Sequence, residues 1–279
     1  MTESCVLRME GISKSFPGVL ALDKVHFELL KGEVHVLLGE NGAGKSTLMK
    51  ILSGAYVKDE GDITIDDKLI EIESPAHAQN LGIGIIYQEF NLNPYLSVAE
   101  NIFLGREPTI LPGIIDWKKI YKNAQDILDS LCVEIDAKQI VETLGVAMQQ
   151  MVEVAKALSL NARILIMDEP TASLSNKEIE ALFKTIKKLQ DDGVAIIYIS
   201  HRLEEIFRIG NRVTVLRDGK YVGTKPVSEL TKDEMVKMMV NRDLDDHIPK
   251  IKAEIGDVVL EVDNVSVKDR LKDISFKLR

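Results

Sequence analysis

Cysteine is nearly missing from this chain: two of its 279 residues, Cys5 and Cys132, are thiols. Two thiols form neither a disulfide framework nor a metal-ligand spacing, so both are expected to be reduced and buried. Long apolar runs are missing too. The longest resemble Ile164-Leu165-Ile166-Met167, far short of the roughly 20 residues that cross a bilayer. Met1-Thr2-Glu3-Ser4 lacks the basic and apolar regions of a secretory signal. Nor is there an excess of positive charge. The 35 Lys and Arg face 44 Asp and Glu, a formal charge of -9, which argues against broad nucleic-acid binding. With 45% apolar and 28% charged residues, the rest is ordinary globular material, enough for one large domain or one domain plus a fragment. Any work at a membrane is expected to proceed by docking on another component.

Short β-rich runs alternate with helical patterns, which predicts a parallel sheet flanked by helices. Val34 to Leu38 reads as a buried strand followed by a helix from Lys45 to about Ser53. Ile164 to Met167 and Val194 to Ile199 read as two more strands. Between them Ile179, Leu182, Phe183, Ile186 and Leu189 mark one helix face, opened by the capping box Ser175-Asn176-Lys177-Glu178. A second amphipathic helix, Asp116 to Cys132, carries Trp117, Ile120, Ala124, Ile127, Leu128 and Leu131 on one side. Thr231 caps a last short helix ending near Val240, and the charged stretch 241–256 with Pro249 reads as a linker. Beyond it the beginning of the chain recurs. Val6 to Ser13 and Leu22 to Leu29 have counterparts in Val259 to Ser266 and Leu271 to Leu278. Such a repeat predicts a longer protein built from two similar units.

Gly39-Glu40-Asn41-Gly42-Ala43-Gly44-Lys45-Ser46 fits the phosphate-loop pattern G-x-x-x-x-G-K-[ST], after a buried strand and opening a helix. Chance produces it in roughly one chain of this length in a hundred, and the strand–helix context lowers that further. Its glycines let backbone N–H groups turn inward around phosphate oxygens, and the helix N-terminus adds partial positive charge. Gly39 to Thr47 are therefore the expected nucleotide contacts, with Lys45 on the β- and γ-phosphates and Ser46 on Mg²⁺. Ile164 to Met167 ends in Asp168 and Glu169, where ligands bind in open α/β sheets. Asp168 is the expected Mg²⁺ ligand and Glu169 the general base that polarises water. Seen alone, the pair also reads, as the less favoured alternative, as two solvated charges at a strand end.

With these motifs in hand the chain resembles the ATP-binding subunit of an ATP-binding-cassette (ABC) transporter, over residues 5 to about 240. The resemblance implies an α/β phosphate-loop NTPase core with an antiparallel β subdomain near the N-terminus and an inserted helical subdomain at about 90–160. It implies that Gln88 senses Mg²⁺ and the water, that His201 contacts the γ-phosphate, and that Phe16 stacks on adenine. Alone, His201 reads as a helix cap or surface residue, and Phe16 as an apolar turn residue. Ser97 to Glu107, Met151 to Leu158 and Val215 to Gly219 are similar to segments of monosaccharide importers of the ribose, galactose and xylose type. Those ATPases carry two nucleotide-binding domains in tandem. The resemblance thus implies a domain at 1–240, a linker at 241–256 and the start of a second domain at 257–279. It also implies ATP and Mg²⁺ as cofactors, transmembrane permease subunits as partners, and indirectly an external sugar-binding protein. Its implied location is the cytoplasmic face of the plasma membrane.

Two loops depart from that pattern. The signature loop, L-S-G-G-Q or L-S-V-G-Q in the family, here reads Leu144-Gly145-Val146-Ala147-Met148. Gly145 removes a hydroxyl donor to phosphate, a kind of loss that costs roughly 10²–10³ in rate elsewhere. After Pro170 the usual aspartate is missing from Thr171-Ala172-Ser173-Leu174-Ser175. Two unequal ATP sites are expected, with the better one joining this phosphate loop to the signature loop of the second domain. A soluble tandem ATPase acting on ribosomes or DNA-repair complexes stays open as an alternative, disfavoured by charge and by the importer-like segments. A small-molecule kinase would need an acceptor pocket and lid arginines instead.

Overall fold

A computed structural model describes residues 4–87, 90–111, 113–240, 256–268 and 270–279. It opens with a long hairpin, β1 (Cys5–Phe16) and β2 (Val19–Leu30). Leu7 and Met9 are buried while Arg8 and Glu10 are exposed, the alternation expected of a sheet with one face on a core. In β3 (Val34–Leu38) all five residues are buried, as a strand covered on both faces requires. The phosphate loop follows it into α1 (Lys45–Leu52). Then come β4 (Glu60–Ile65), β5 (Lys68–Leu69), α2 (Pro75–Asn80) and β6 (Ile83–Ile86). Strands β2, β1, β4 and β5 form an antiparallel sheet in that order. Its inner face packs with Leu48, Met49, Ile51 and Leu52 of α1 into one core.

The interval after β6 is mostly helical. It holds α3 (Val98–Phe103), a small hairpin of β7 (Thr109–Leu111) and β8 (Ile114–Ile115), α4 (Trp117–Ser130) and α5 (Val146–Leu158). The capping box of Ser97 and Glu100 starts α3, and the Asp116 side chain caps α4. Ile102, Ile120, Ala124, Leu128, Met151 and Val154 meet in a core that also takes in Leu165 and Met167 of the next strand. Trp117 departs from the expected helix face. It is 45% exposed at the first position of α4, and the buried face of the helix begins at Ile120.

The chain then runs through β9 (Ile164–Asp168), α6 (Asn176–Asp191), β10 (Ala195–Ile199), α7 (Leu203–Ile209), β11 (Arg212–Arg217), β12 (Lys220–Pro226) and α8 (Lys232–Val240). The five apolar residues expected on one face of α6 are all buried, each contributing about 1.5–3 kcal/mol. The main sheet has the order β12-β11-β3-β10-β9-β6, parallel except for β12. The chain divides into two compact units, Met1–Asn241 and Arg242–Arg279. The described part of the second unit is one antiparallel hairpin, β13 (Leu260–Val267) with β14 (Leu271–Leu278). Apart from Gly256, the expected linker lies outside the described residues. The thiols are not both buried as expected: Cys5 is half-buried and Cys132 exposed. Among the described residues no helix is long and apolar enough to cross a membrane.

Candidate functional site

Strand order builds the site. β10 lies between β3 and β9, so Ile199 pairs with Leu37 on one side and with Asp168 on the other. The C-terminal ends of three parallel strands are thereby level, the place where open α/β sheets bind ligands. The phosphate loop leaves β3, Asp168 and Glu169 leave β9, and His201 leaves β10. A cleft of 390 Å³ opens there, lined by Asn41 to Thr47, Asp168, Glu169, Ile199 and the stretch Val19 to Ala21.

Gly44 stands at the N-cap of α1 in the left-handed region, φ 97°, with no capping side chain. A Cβ there would lie 2.6 Å from Leu22 Cδ2 and 2.7 Å from the Ala21 carbonyl, so glycine is demanded by space as well as by conformation. The first-turn N–H groups of α1 have no carbonyl partner within the helix and face an anion-binding position. Lys45 Nζ donates to the carbonyls of Gly39 at 2.8 Å and Glu40 at 3.0 Å. Burial lowers the Lys45 pKa, opposed by the charges of Glu169 and Asp168. Burial, then the Glu169 charge, raises that of Asp168, against Lys45 and Lys50.

Glu169 adopts φ 47°, which costs a non-glycine residue roughly 1–2 kcal/mol. Its N–H donates to the Ile199 carbonyl at 3.0 Å, locking the end of β9 to that of β10. The same turn aims its side chain at His201, with Oε1 3.1 Å from Nδ1. Ser46 and Asp168 place a hydroxyl and a carboxylate on one cleft, oxygen donors of the kind a hard cation such as Mg²⁺ takes. Among the described residues no group of three or more His, Cys, Asp or Glu is placed to hold a metal ion by itself. A cation held there would therefore complete its shell with phosphate oxygens and water.

Gln88 lies outside the described residues. The segment just after it is tied to α5: the Asn91 N–H donates to Glu153 Oε1 at 2.6 Å, and Lys156 Nζ donates to the Asn91 carbonyl at 2.8 Å. Phe16 is not among the cleft-lining residues. Its ring meets Tyr56 edge-on at 5.3 Å, and Val19 and Leu20, which the sequence did not single out, form the apolar wall beside the loop. Gly145 caps α5 without a side-chain bond, and nothing stands within 4 Å of where its Cβ would be. Beyond it Val146 and Met148 are exposed while Ala147 is buried.

Glu205 is a further residue the sequence gave no reason to notice. It is 4% exposed, and its Oε2 accepts from Tyr198 Oη at 2.8 Å and from Ser200 Oγ and Thr171 Oγ1 at 3.0 Å. Arg202 pairs with its other oxygen at 3.0 Å. One buried carboxylate thus gathers the loops that carry Glu169 and His201. Nothing in the pattern of α7 distinguishes it from the exposed Glu204 beside it.

Residues 22–172, more than half of the chain, match the family model described as ABC transporter. The chain belongs to the ABC transporter family. As an ABC cassette it is similar to Ribose import ATP-binding protein RbsA 1 of Rubrobacter xylanophilus. The two are 53% identical over 274 residues, which cover 98% of this chain and 54% of that protein. Ribose import ATP-binding protein RbsA 2 of Streptomyces coelicolor is 50% identical over 274 residues, 98% of this chain and 53% of that one. The cassette spans about half the length of these relatives. Its fold is shared with a nucleotide-free ATP-binding cassette from an ABC transporter. That match has a TM-score of 0.71 and 26% identity, covering 85% of this chain and 96% of the other. A dimeric post-hydrolysis state of an ATP-binding cassette bound to ADP and Pi matches with a TM-score of 0.67 and 26% identity. It covers 79% of this chain and 98% of the other.

Proposed function

We propose that this cassette binds and hydrolyses ATP to drive a bacterial importer for a monosaccharide of the ribose, galactose or xylose type. The observation that carries the reading is the meeting of Lys45, Asp168 and Glu169 on one cleft, with His201 held against Glu169. In this reading Lys45 and the N–H groups of Gly39 to Thr47 hold the β- and γ-phosphates. Ser46, Asp168 and Gln88 would hold Mg²⁺, which would neutralise charge on the phosphate oxygens. Glu169 accepts the proton of the attacking water. His201, oriented by its contact with Glu169, donates to the γ-phosphate. Adenine rests against Val19 and Leu20.

The whole protein, in this proposal, holds a second cassette that begins with β13 and β14. The twofold length of the relatives supports this. So does the register of the hairpin: Leu260↔Leu278, Val262↔Phe276 and Val265↔Ile274 reproduce Leu7↔Leu29, Met9↔Phe27 and Ile12↔Val25. The importer assembles on transmembrane permease subunits at the cytoplasmic face, supplied from outside by a sugar-binding protein. Gly145 and Met148 weaken the signature helix α5, so the site using this phosphate loop with the other cassette's signature loop is the faster one. In the full-length protein, Glu169→Gln should leave ATP binding intact and lower turnover about 100-fold or more, the usual scale for removing a general base. Near-normal turnover in a steady-state ATPase assay would sink the assignment.

A further inference from the structure

The helical interval exposes apolar side chains that its own core does not use. Ile110 is 65% exposed, Leu111 60%, Ile114 54% and Trp117 45%, all within eight residues. They are displayed by a braced element, not by a loose loop. Thr109 pairs with Ile115, the Asp116 N–H donates to the Pro108 carbonyl at 2.7 Å, and Ile115 packs against the core. Solvated globular surfaces rarely concentrate large aliphatic side chains in this way.

Charge around the hairpin runs against that of the whole chain. Residues 104–122 hold four basic groups, Arg106, Lys118, Lys119 and Lys122, and two acidic ones, in a protein of net charge -9. Both acids are engaged locally: Glu107 accepts from the Gly105 N–H and Asp116 from the Lys119 N–H. Lys118, Lys119 and Lys122 are exposed and form no ion pair with a described residue. Trp117 stacks on Tyr121, and Lys138 Nζ lies 5.7 Å from that ring's centre. An aliphatic tip, then an indole, then lysines is the order of side chains that suits the boundary between acyl chains and anionic headgroups.

We propose that the β7–β8 hairpin and the first turn of α4 form a peripheral contact with an anionic lipid surface. Ile110, Leu111 and Ile114 enter the headgroup layer, Trp117 lies at its edge, and the lysines face the lipid phosphates. A chain of net charge -9 is repelled by such a surface in most orientations, so this basic region sets which side faces the bilayer. A proteinaceous partner would need carboxylates opposite the lysines. Lipid supplies the negative charge without any matching sequence. None of these residues lines the phosphate cleft, so the contact is separable from nucleotide binding.

Trp117 is the only tryptophan of the chain, and its emission therefore reports on this spot alone, whatever other apolar surface meets lipid. The whole chain is titrated with phosphatidylcholine vesicles containing increasing phosphatidylglycerol. The expected result is a blue shift that grows with the anionic fraction, quenching by brominated acyl chains, and reversal by high salt. Replacing Lys118, Lys119 and Lys122 by Ser should raise the lipid needed for half-maximal shift on the order of 100-fold. The double variant Ile110→Asp, Leu111→Asp should abolish the shift, with unchanged far-ultraviolet circular dichroism and ATP affinity. No shift on anionic vesicles, an equal shift on neutral ones, or full binding by the double variant would each overturn the proposal. So would a cross-link from residue 117 to a permease subunit in place of lipid. ATP affinity, measured on the same samples, tests the nucleotide reading separately.

Discussion

At the scale of single residues, the site depends on backbone conformations that cost free energy where they occur. Glu169 at φ 47° is held by its bond to the Ile199 carbonyl, and that turn brings its carboxylate against His201. Such strain is tolerated because the strands beneath are fully buried and do not yield. The phosphate loop shows a finer gradation. Gly42 and Gly44 both have left-handed φ, 84° and 97°, but only Gly44 is crowded, since nothing lies within 4 Å of a Cβ at Gly42. Gly42→Ala should therefore cost only the conformational penalty, roughly 1–2 kcal/mol in urea unfolding. Gly44→Ala adds a clash with Leu22 and the Ala21 carbonyl and should cost about 1–3 kcal/mol more. An equal cost for the two would mean that space at Gly44 is not limiting. The glycine pattern was legible in the sequence, but which glycine bears the steric load was not.

At the scale of elements, α7 is a short helix whose role lies in one inward carboxylate. Glu205 accepts from Thr171 and Ser200, in the loops after β9 and β10, and from Tyr198 of β10 itself. Glu205→Ala strands three buried hydroxyls and Arg202, and should destabilise the fold by about 2–4 kcal/mol. The catalytic consequence separates positioning from mere stability. Below the unfolding transition, turnover should fall at least tenfold while nucleotide Kd stays unchanged, with Glu205→Gln intermediate. Equal turnover for wild type and Glu205→Ala, measured by stopped-time phosphate release, would remove the positioning role. Periodicity located the helices because burial repeats every turn. It placed Trp117 with the core face of α4, whereas burial of that face begins only at Ile120. Neither β7–β8 nor the hub at Glu205 was visible, since short strands and single buried acids leave no periodic trace.

At the scale of the whole molecule, stability couples to pH through a polar cluster between the two sheets. His35 is fully buried, its Nδ1 2.7 Å from Glu33 and its Nε2 2.7 Å from Thr214. Burial lowers its pKa, with Glu33 and Glu28 opposing and Arg212 assisting. Burial also pushes Glu33 up, but hydrogen bonds from His35 and Arg212 outweigh this and hold it below its ordinary value. Because the folded His35 resists protonation, its contribution is complete above its unfolded value of 6.5 and is lost as pH falls below it. Asp168 and Glu153, raised by burial, act in the opposite sense, so the comparison must isolate His35. The difference in unfolding free energy between wild type and His35→Gln should narrow from pH 7 to pH 5; a constant difference in urea titrations would contradict it. The repeat is likewise more than sequence similarity. Gly11 and Asn264 share a left-handed backbone, as do Lys24 and Asp273, so the two hairpins repeat even their irregularities. The sequence by itself determined β3, β9, β10, α1, α4, α6 and α8, the phosphate loop and the acidic strand end, because these follow from local spacing and chemistry. Only the tertiary structure decided that Lys45, Asp168 and Glu169 share one cleft and that His201 stands against Glu169. That depends on β10 lying between β3 and β9, an order set by long-range pairing that local sequence does not encode.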